Sequence, residues 1–272
     1  MTDSDNGAAA LDPLTVAAIA LLAYMLGSLL HEGAGHGGAC LLAGGKPLVL
    51  SSVHFECSVA TRLVDAGGTL MNFVAAAIFF LIGRLTASDH PRWKYFFWIA
   101  MTINLFTATG YFLFSGIGGI GDWADFMRGV QPQWLWRVGM AIFGGAAYLA
   151  AAWLSVRELR PLIGSDIARR YRRALCLSII PYFSGGVLMC LAGARNPKGA
   201  ILILISAAAS TFGGTSGLLW DTQWLRSLSM IPPGPSSEAL PIRRSWMVIA
   251  GAAVAVVAFV ALIGPGIRFA PQ

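Results

Sequence analysis

The stretch that decides the fold is residues 13–40, PLTVAAIALLAYMLGSLLHEGAGHGGAC. Residues 13–30 carry no charged side chain, and a helix that crosses a bilayer needs about 20 predominantly apolar residues. The segment then ends in a cluster of ionisable side chains, His31, Glu32 and His36. Because such groups are costly in a membrane, their presence there indicates a functional site.

The composition of the whole chain places it in the membrane class. Of its 272 residues, 56% are hydrophobic and 12% are charged, and the mean hydropathy is +0.67. A soluble globular domain has about 25% charged residues. Recurring apolar runs predict an all-α polytopic membrane protein that forms a single membrane domain over residues 1–272. We predict about seven transmembrane helices, at residues 13–40, 67–84, 95–117, 134–156, 174–193, 199–220 and 245–265.

The segment at residues 46–64, KPLVLSSVHFECSVATRLV, differs from the rest of the chain. It is rich in Val, Ser and Thr with rough alternation, which is typical of strands, so we predict a short β-hairpin between the first two helices. The four cysteines are scattered and do not indicate a disulfide framework. Cys176 and Cys190 fall in apolar runs, where a buried free thiol is the ordinary interpretation.

The basic residues predict the orientation of the chain. Six Arg lie between residues 157 and 173, and with seven crossings 12 of the 19 Lys and Arg residues fall on one side of the membrane. By the positive-inside rule that side is the cytoplasm, and the N-terminus lies there too. We therefore expect a multi-pass protein of a bacterial inner (cell) membrane, in contact with the lipid bilayer. Because the basic residues sit in short loops, no nucleic acid is expected as a partner.

The two histidines of the first segment are five residues apart. The common metallopeptidase motif His-Glu-x-x-His places its histidines four apart, on one helix face. On a regular α-helix a spacing of five turns the rings about 140° apart, too far to share an ion. A π-bulge would absorb the extra residue and leave Glu32 as a general base, which we prefer. Alternatively the helix stays regular and Glu32 faces the metal with His36, or the cluster is only a hydrogen-bonded polar patch.

A catalytic zinc site needs a third protein ligand and an open position for water. Asp122 follows the Gly-rich residues 115–121, SGIGGIG. We expect this strip to be non-helical and to aim the Asp122 carboxylate at a neighbouring helix. Asp125 is the competing ligand, and the alternative role for Asp122 is to cap a short helix that starts at Trp123.

These motifs resemble the site-2 protease family of intramembrane zinc metalloproteases. The resemblance covers about residues 13–125. It begins at the His-Glu cluster and continues through Gly68-Thr69-Leu70-Met71-Asn72, which looks like the family's Gly-Pro-x-x-Asn motif. It ends with Asn104 and Gly121-Asp122, similar to the family's Asn…Pro…Asp-Gly motif. The chain departs from the pattern in the extra residue between the histidines, in the missing prolines, and in Trp123 where Gly is usual.

The resemblance implies a catalytic core of three helices over residues 13–125, with additional helices of unknown role over residues 134–265. It implies Zn²⁺ as the cofactor and a transmembrane peptide or protein as the substrate. It also implies a role for five residues: His31, His36 and Asp122 as metal ligands, Glu32 as the base, and Asn72 as the catalytic residue that holds substrate or stabilises the oxyanion.

The implied function is an intramembrane zinc metalloendopeptidase, a hydrolase of peptide bonds. The alternative is a catalytically inactive homologue that acts as a membrane scaffold or interaction subunit. A structural metal site is a further option, formed by His36, Cys40, His54 and Cys57. The remaining histidine, His90, lies beside a proline in a loop and is expected at the surface.

Overall fold

A computed structural model describes residues 10–197, 206–227 and 238–269. Within these residues the helices are α1 (Pro13–Leu29), π1 (Leu30–Gly37), α2 (Gly38–Leu42), α3 (Arg62–Leu85), α4 (Pro91–Gly118), α5 (Asp122–Phe126), α6 (Gln133–Ile163), α7 (Ile167–Gly193), π2 (Ala209–Gly213), α8 (Gly217–Ser227), α9 (Trp246–Ala258) and π3 (Phe259–Ile263). The strands are β1 (Pro47–Leu50), β2 (Phe55–Cys57) and β3 (Ile267–Arg268).

Six helices in the described part of the chain are long and apolar enough to cross a membrane. They are Pro13–Leu42, Arg62–Leu85, Pro91–Gly118, Gln133–Ile163, Arg169–Gly193 and Trp246–Ile263. The helical multi-pass fold is confirmed to that extent, and six of the seven predicted positions are recovered. The predicted crossing at residues 199–220 is not among the six. Residues 198–205 lie outside the described part, and most of its remainder forms π2 and the start of α8.

Local sequence signals set the ends of the membrane helices. At the start of α1, the Asp12 carboxylate accepts a hydrogen bond from the Thr15 amide at 2.9 Å, and a proline occupies the first turn. Such caps satisfy amide groups that have no partner within the helix. At the end of α4, Gly119 adopts the left-handed conformation with φ of 68°, which is the common way for a helix to terminate.

The predicted hairpin is present and belongs to a three-stranded sheet. β1 pairs with β2 in an antiparallel arrangement, and β3 adds to the other side of β1, so the strand order is β2-β1-β3. In that second pair Val49 lies opposite Arg268, and Leu50 lies opposite Ile267. The sheet therefore joins the loop after the first crossing to the chain that follows the last one.

Two groups of contacts mark opposite ends of the helix bundle. At one end, Leu11 forms a bridge with Ile242, just before α1 and α9 respectively. At the other end, the C-terminal ends of α7 and π3 lie side by side. A Cβ added to Gly264, directly after π3, would lie 2.8 Å from the Ala192 carbonyl oxygen near the end of α7. Both contacts use chain segments far apart in sequence, so they fix which helix ends share a side.

Helix α4 is the central element of the bundle. Its residues Tyr95, Ile99 and Phe106 are fully buried, whereas large apolar residues on outer helices, such as Ile142 and Met247, are exposed. Exposed apolar side chains are what a lipid-facing surface requires. This central position allows α4 to carry residues toward the polar cluster of π1.

Cys40 and Cys57 form a disulfide. The expectation of no disulfide framework is wrong for this pair, because the hairpin turn returns β2 to the end of the first crossing. The bond also excludes the proposed structural metal site, which would have needed both thiolates as ligands. Cys176 and Cys190 are free and partly buried, as predicted.

Candidate metal centre

The extra residue between the two histidines is absorbed by π1, which contains His31, Glu32 and His36. In a π-helix the hydrogen bonds run from residue i to i+5, so side chains five apart come to lie on one face. The predicted bulge is confirmed, and the alternative of a regular helix is wrong. All three side chains are buried, at most 8% exposed.

Three ligand atoms from π1 and α5 converge on one point. The Nε2 atoms of His31 and His36 are 3.2 Å apart, and Asp122 Oδ2 lies 3.3 Å from the first and 3.4 Å from the second. A tetrahedral zinc ion with bonds of about 2.0–2.1 Å separates its ligand atoms by about 3.3 Å. The triangle therefore has the edge lengths that one face of such a coordination shell requires.

The Asp122 carboxylate is placed as a ligand would be. Its Oδ2 atom is buried and makes no hydrogen bond, which is unusual for a buried polar atom. Burial alone would raise the pKa of Asp122. The two imidazoles lower that pKa by more than burial raises it, so it lies well below the usual value. The group is therefore in the ionised form that binds a cation.

The turn between α4 and α5 aims Asp122 at π1. The chain remains helical through Gly118, so the non-helical strip is shorter than predicted. It then turns through Gly119 and Gly121, which both have positive φ. The helix cap at this point is Gly121, with no side-chain cap bond, so the capping role for Asp122 is wrong. Asp125 pairs with Arg128 on the exposed surface instead.

Two side chains hold this turn in place. Arg137 of α6 donates to the carbonyl oxygens of Gly116 and Ile117, at 3.1 and 2.5 Å. Trp123 stacks on Phe112 of α4 with ring centroids 4.2 Å apart. The tryptophan that departs from the family motif thus packs α5 against α4, beside the Asp122 carboxylate. Sequence reasoning missed Arg137, because nothing local indicates which helix end it meets.

The second nitrogen of each histidine is also engaged. His36 Nδ1 donates to the Val64 carbonyl at 2.6 Å, and His31 Nδ1 lies 2.5 Å from the Asn72 side-chain oxygen. Both partners accept, so each Nδ1 carries a proton that it donates, and both Nε2 atoms face Asp122, where a bound metal would take the place of any proton on them. Metal-binding histidines are oriented in this way.

Asn72 is placed behind His31 rather than on an open surface. Its oxygen faces His31, and its amide nitrogen donates to Asn104 Oδ1 at 2.7 Å. Asn104 in turn donates to the Ala100 carbonyl at 2.8 Å. The two asparagines of the motif therefore form a buried chain that orients a histidine. The predicted role of Asn72 toward substrate stays a prediction.

Glycines allow α3 to approach π1 closely. A Cβ on Gly35 would lie 2.6 Å from the Gly68 Cα, and a Cβ on Gly68 would lie 2.5 Å from Nε2 of both His31 and His36. Real Cβ atoms do not sit this close to other heavy atoms, so no larger residue fits at either position without a shift of the backbone. This close approach brings the Val64 carbonyl and the Asn72 side chain of α3 within hydrogen-bond distance of the two histidines.

A cavity of about 50 Å³ lies beside His31 and Glu32. A water needs about 10–15 Å³ of such volume, so the cavity has room for a few waters. Most of its lining residues carry a hydroxyl, and they include Ser28, Thr107, Tyr111, Ser210, Thr211 and Thr215. Tyr111 also stacks on His31, with ring centroids 4.9 Å apart and an interplanar angle of 18°.

The other two histidines lie away from this centre. His54 pairs with Glu56, 3.3 Å away, at the partly exposed hairpin. His90 is exposed beside Asp89, as predicted. Among the described residues, His31, His36 and Asp122 form the group of histidine, cysteine and carboxylate ligands that is close enough to hold a metal ion.

Comparisons with family models, with curated proteins and with solved structures find no match. The class of protein is therefore defined by the fold and the site themselves. It is a helical protein with six described helices long and apolar enough to cross a membrane, and with two histidines and one aspartate gathered at a π-helix.

Proposed function

We propose that this protein is an intramembrane zinc metalloendopeptidase that hydrolyses peptide bonds of membrane-embedded substrates. The observation that carries the proposal is the triangle of His31, His36 and Asp122 ligand atoms at tetrahedral spacing, with a buried carboxyl group, Glu32, in the same π-helix. The motif resemblance to site-2 proteases supports the same assignment of residues.

The donor set fits Zn²⁺. Two imidazole nitrogens and one carboxylate oxygen are typical of catalytic zinc sites, which keep a fourth position for water or substrate. When bound, zinc would lower the pKa of a coordinated water to about 7 and polarise the scissile carbonyl. The Asp122 Oδ2 atom, which makes no hydrogen bond but faces both Nε2 atoms, and the Nδ1 hydrogen bonds of both histidines are consistent with ligands held ready for the ion.

Glu32 is assigned the role of general base. No hydrogen bond to its carboxylate is present within the described residues, and it lines the hydroxyl-rich cavity. The carboxylate would take a proton from the attacking water and pass it to the amine that leaves when the peptide bond breaks. This assignment leaves His31, His36 and Asp122 as ligands only.

The cavity suits a substrate that arrives from the membrane. A peptide bond in a transmembrane helix has its polar groups hydrogen-bonded, so the segment must unwind before hydrolysis, and unwound backbone needs polar partners. Hydroxyls such as those of Ser210 and Thr211 line the cavity beside Glu32. The helices beyond residue 134 are therefore assigned a part in the substrate chamber.

Cleavage of a model transmembrane peptide by the purified protein in liposomes tests this proposal. We expect cleavage that is abolished by a zinc chelator and restored by added Zn²⁺ but not by Mg²⁺, because nitrogen ligands disfavour Mg²⁺. Zinc binding without any cleavage would contradict the enzyme and favour the inactive scaffold.

We also propose a seventh crossing between residues 193 and 239. β1 follows the first crossing and β3 follows the last, yet the two strands pair. Five of the six membrane helices lie between them, an odd number that would leave the strands on opposite sides. The Leu11–Ile242 bridge presents the same conflict, because five membrane helices also lie between these two residues. One additional crossing removes both conflicts.

The proposed orientation places the N-terminus in the cytoplasm of a bacterial inner membrane and the end of the first crossing outside. The charge distribution supports it, and so does the Cys40–Cys57 disulfide at that end, because disulfides persist in oxidising compartments. Tags at the two termini should be accessible from opposite sides of the membrane. Accessibility of both from one side would contradict the seventh crossing.

A further inference from the structure

The proposed reaction needs a donor for the oxyanion, and Asn72 is poorly placed to be that donor. When water adds to a carbonyl, negative charge develops on the oxygen, and donors aimed at it stabilise the transition state. The amide nitrogen of Asn72 is already directed at Asn104, and its oxygen at His31. Asn72 is 1% exposed, so it offers little surface to a substrate.

Tyr111, unlike Asn72, lines the cavity beside His31 and Glu32. Its ring lies against the imidazole of His31, and its side chain lines the cavity that also contains Glu32. It is carried by α4, seven residues after Asn104, so the two residues share one face of that helix. No hydrogen bond from its hydroxyl occurs within the described residues, which leaves the proton available to a ligand in the cavity.

Two other hydroxyls of the cavity wall are engaged with neighbouring groups, whereas the Ser52 hydroxyl, which also lines the cavity, makes no hydrogen bond within the described residues. Ser28 donates to the Ser52 carbonyl at 2.8 Å, and the Tyr24 hydroxyl lies 2.8 Å from Thr215 Oγ1. These bonds hold the wall of the cavity together. Tyr111 combines a hydroxyl that has no such bond within the described residues with a ring contact to His31, one of the proposed ligands.

We propose that Tyr111 is a catalytic residue that donates its phenolic hydrogen bond to the carbonyl oxygen of the scissile peptide. The inference rests on the proposed function and deepens it. Water oxygen bonds to the carbonyl carbon, the carbonyl π pair moves to its oxygen, and Glu32 takes the water proton. Tyr111 keeps its own proton and donates only a hydrogen bond. The carbon–nitrogen bond then breaks, and Glu32 passes the proton to the leaving amine.

A Tyr111→Phe variant tests the proposal, with Tyr95→Phe as the matched control. Tyr95 lies on the same helix, and its hydroxyl donates to the Leu177 carbonyl away from the site. Removing one oxyanion donor lowers kcat by about 10²–10³-fold, so we expect that loss in Tyr111→Phe and unchanged kcat in the control. KM and zinc per chain should match the wild type.

Binding of a phosphinic peptide, a tetrahedral mimic of the attacked carbonyl, supplies a readout independent of turnover. Its affinity should fall in Tyr111→Phe while zinc content holds. Wild-type kcat in Tyr111→Phe, or a loss of kcat that tracks a loss of zinc, would overturn the proposal. Wild-type protein that binds zinc and cleaves nothing would overturn the proposed function, and the role of Tyr111 with it. The two failures are distinguishable, because failure of the proposed function appears in the wild type and failure of the Tyr111 proposal appears only in the variant.

Discussion

A Glu32→Gln variant is expected to keep its zinc and to lose peptide cleavage by about 10²–10⁴-fold, the usual contribution of a general base. Glutamine has nearly the same shape but cannot accept the proton of the attacking water. The three ligand atoms belong to other residues, so metal content should not change. Cleavage of a transmembrane peptide and zinc per chain, measured on the same sample, check this expectation.

Glu158→Gln is the matched control for that variant. Glu158 also lies in a membrane helix, but it pairs with Arg84 through an ion pair of 3.3 Å, apart from the metal centre. The control should cleave at the wild-type rate. Full activity in Glu32→Gln would remove Glu32 as the base and leave the cavity without a proton acceptor.

A Gly68→Ala variant is expected to lose zinc almost completely, and activity with it. The added methyl would lie 2.5 Å from Nε2 of both His31 and His36, well inside contact distance. Because π1 and α3 touch through their backbones, the histidines cannot withdraw without breaking the approach that orients them. Zinc per chain in the purified variant is the measurement.

Gly38→Ala provides the comparison, because a Cβ at Gly38 meets nothing within 4 Å. Both changes add one methyl to a membrane helix of the core, so a general effect of the substitution would appear in both. We expect normal zinc in Gly38→Ala. Equal zinc in the two variants would mean that the close approach of α3 does not determine metal binding.

The bulge in the first crossing could be predicted from sequence because its cause is local. A spacing of five between His31 and His36 cannot form a site on a regular helix, and the intervening glycines make a distortion inexpensive. The position of Asp122 was predicted for a similar reason, since a Gly-rich turn follows an apolar helix. In both cases the residues concerned lie close together in sequence or next to an evident helix end.

Other parts of the molecule depend on contacts between distant segments. β3 has two residues and no strand signal of its own, and the Cys40–Cys57 bond depends on how the hairpin folds back. Tyr111 looks like one more aromatic residue in an apolar helix until its ring is found beside His31. In the sequence, only its spacing of seven from Asn104 relates Tyr111 to the motif residues, and such a spacing does not by itself single out one residue of a long helix.

The motif resemblance pointed to three residues whose ligand atoms the structure brings together, His31, His36 and Asp122, but it did not determine what each of the motif residues contacts. Asn72 matches the family pattern, and in this chain its side chain supports His31 and meets Asn104. The helices beyond the core, which carried no motif, contribute Arg137 to the Asp122 turn and Thr211 and Thr215 to the cavity. They are therefore parts of the same site.

Zinc per chain in protein purified in detergent tests the central claim most directly, measured for the wild type and for His31→Ala, His36→Ala and Asp122→Asn. We expect one zinc per chain in the wild type and strongly reduced zinc in each variant, because each substitution removes or weakens a ligand of the same ion. A wild type without zinc, or variants with undiminished zinc, would contradict it.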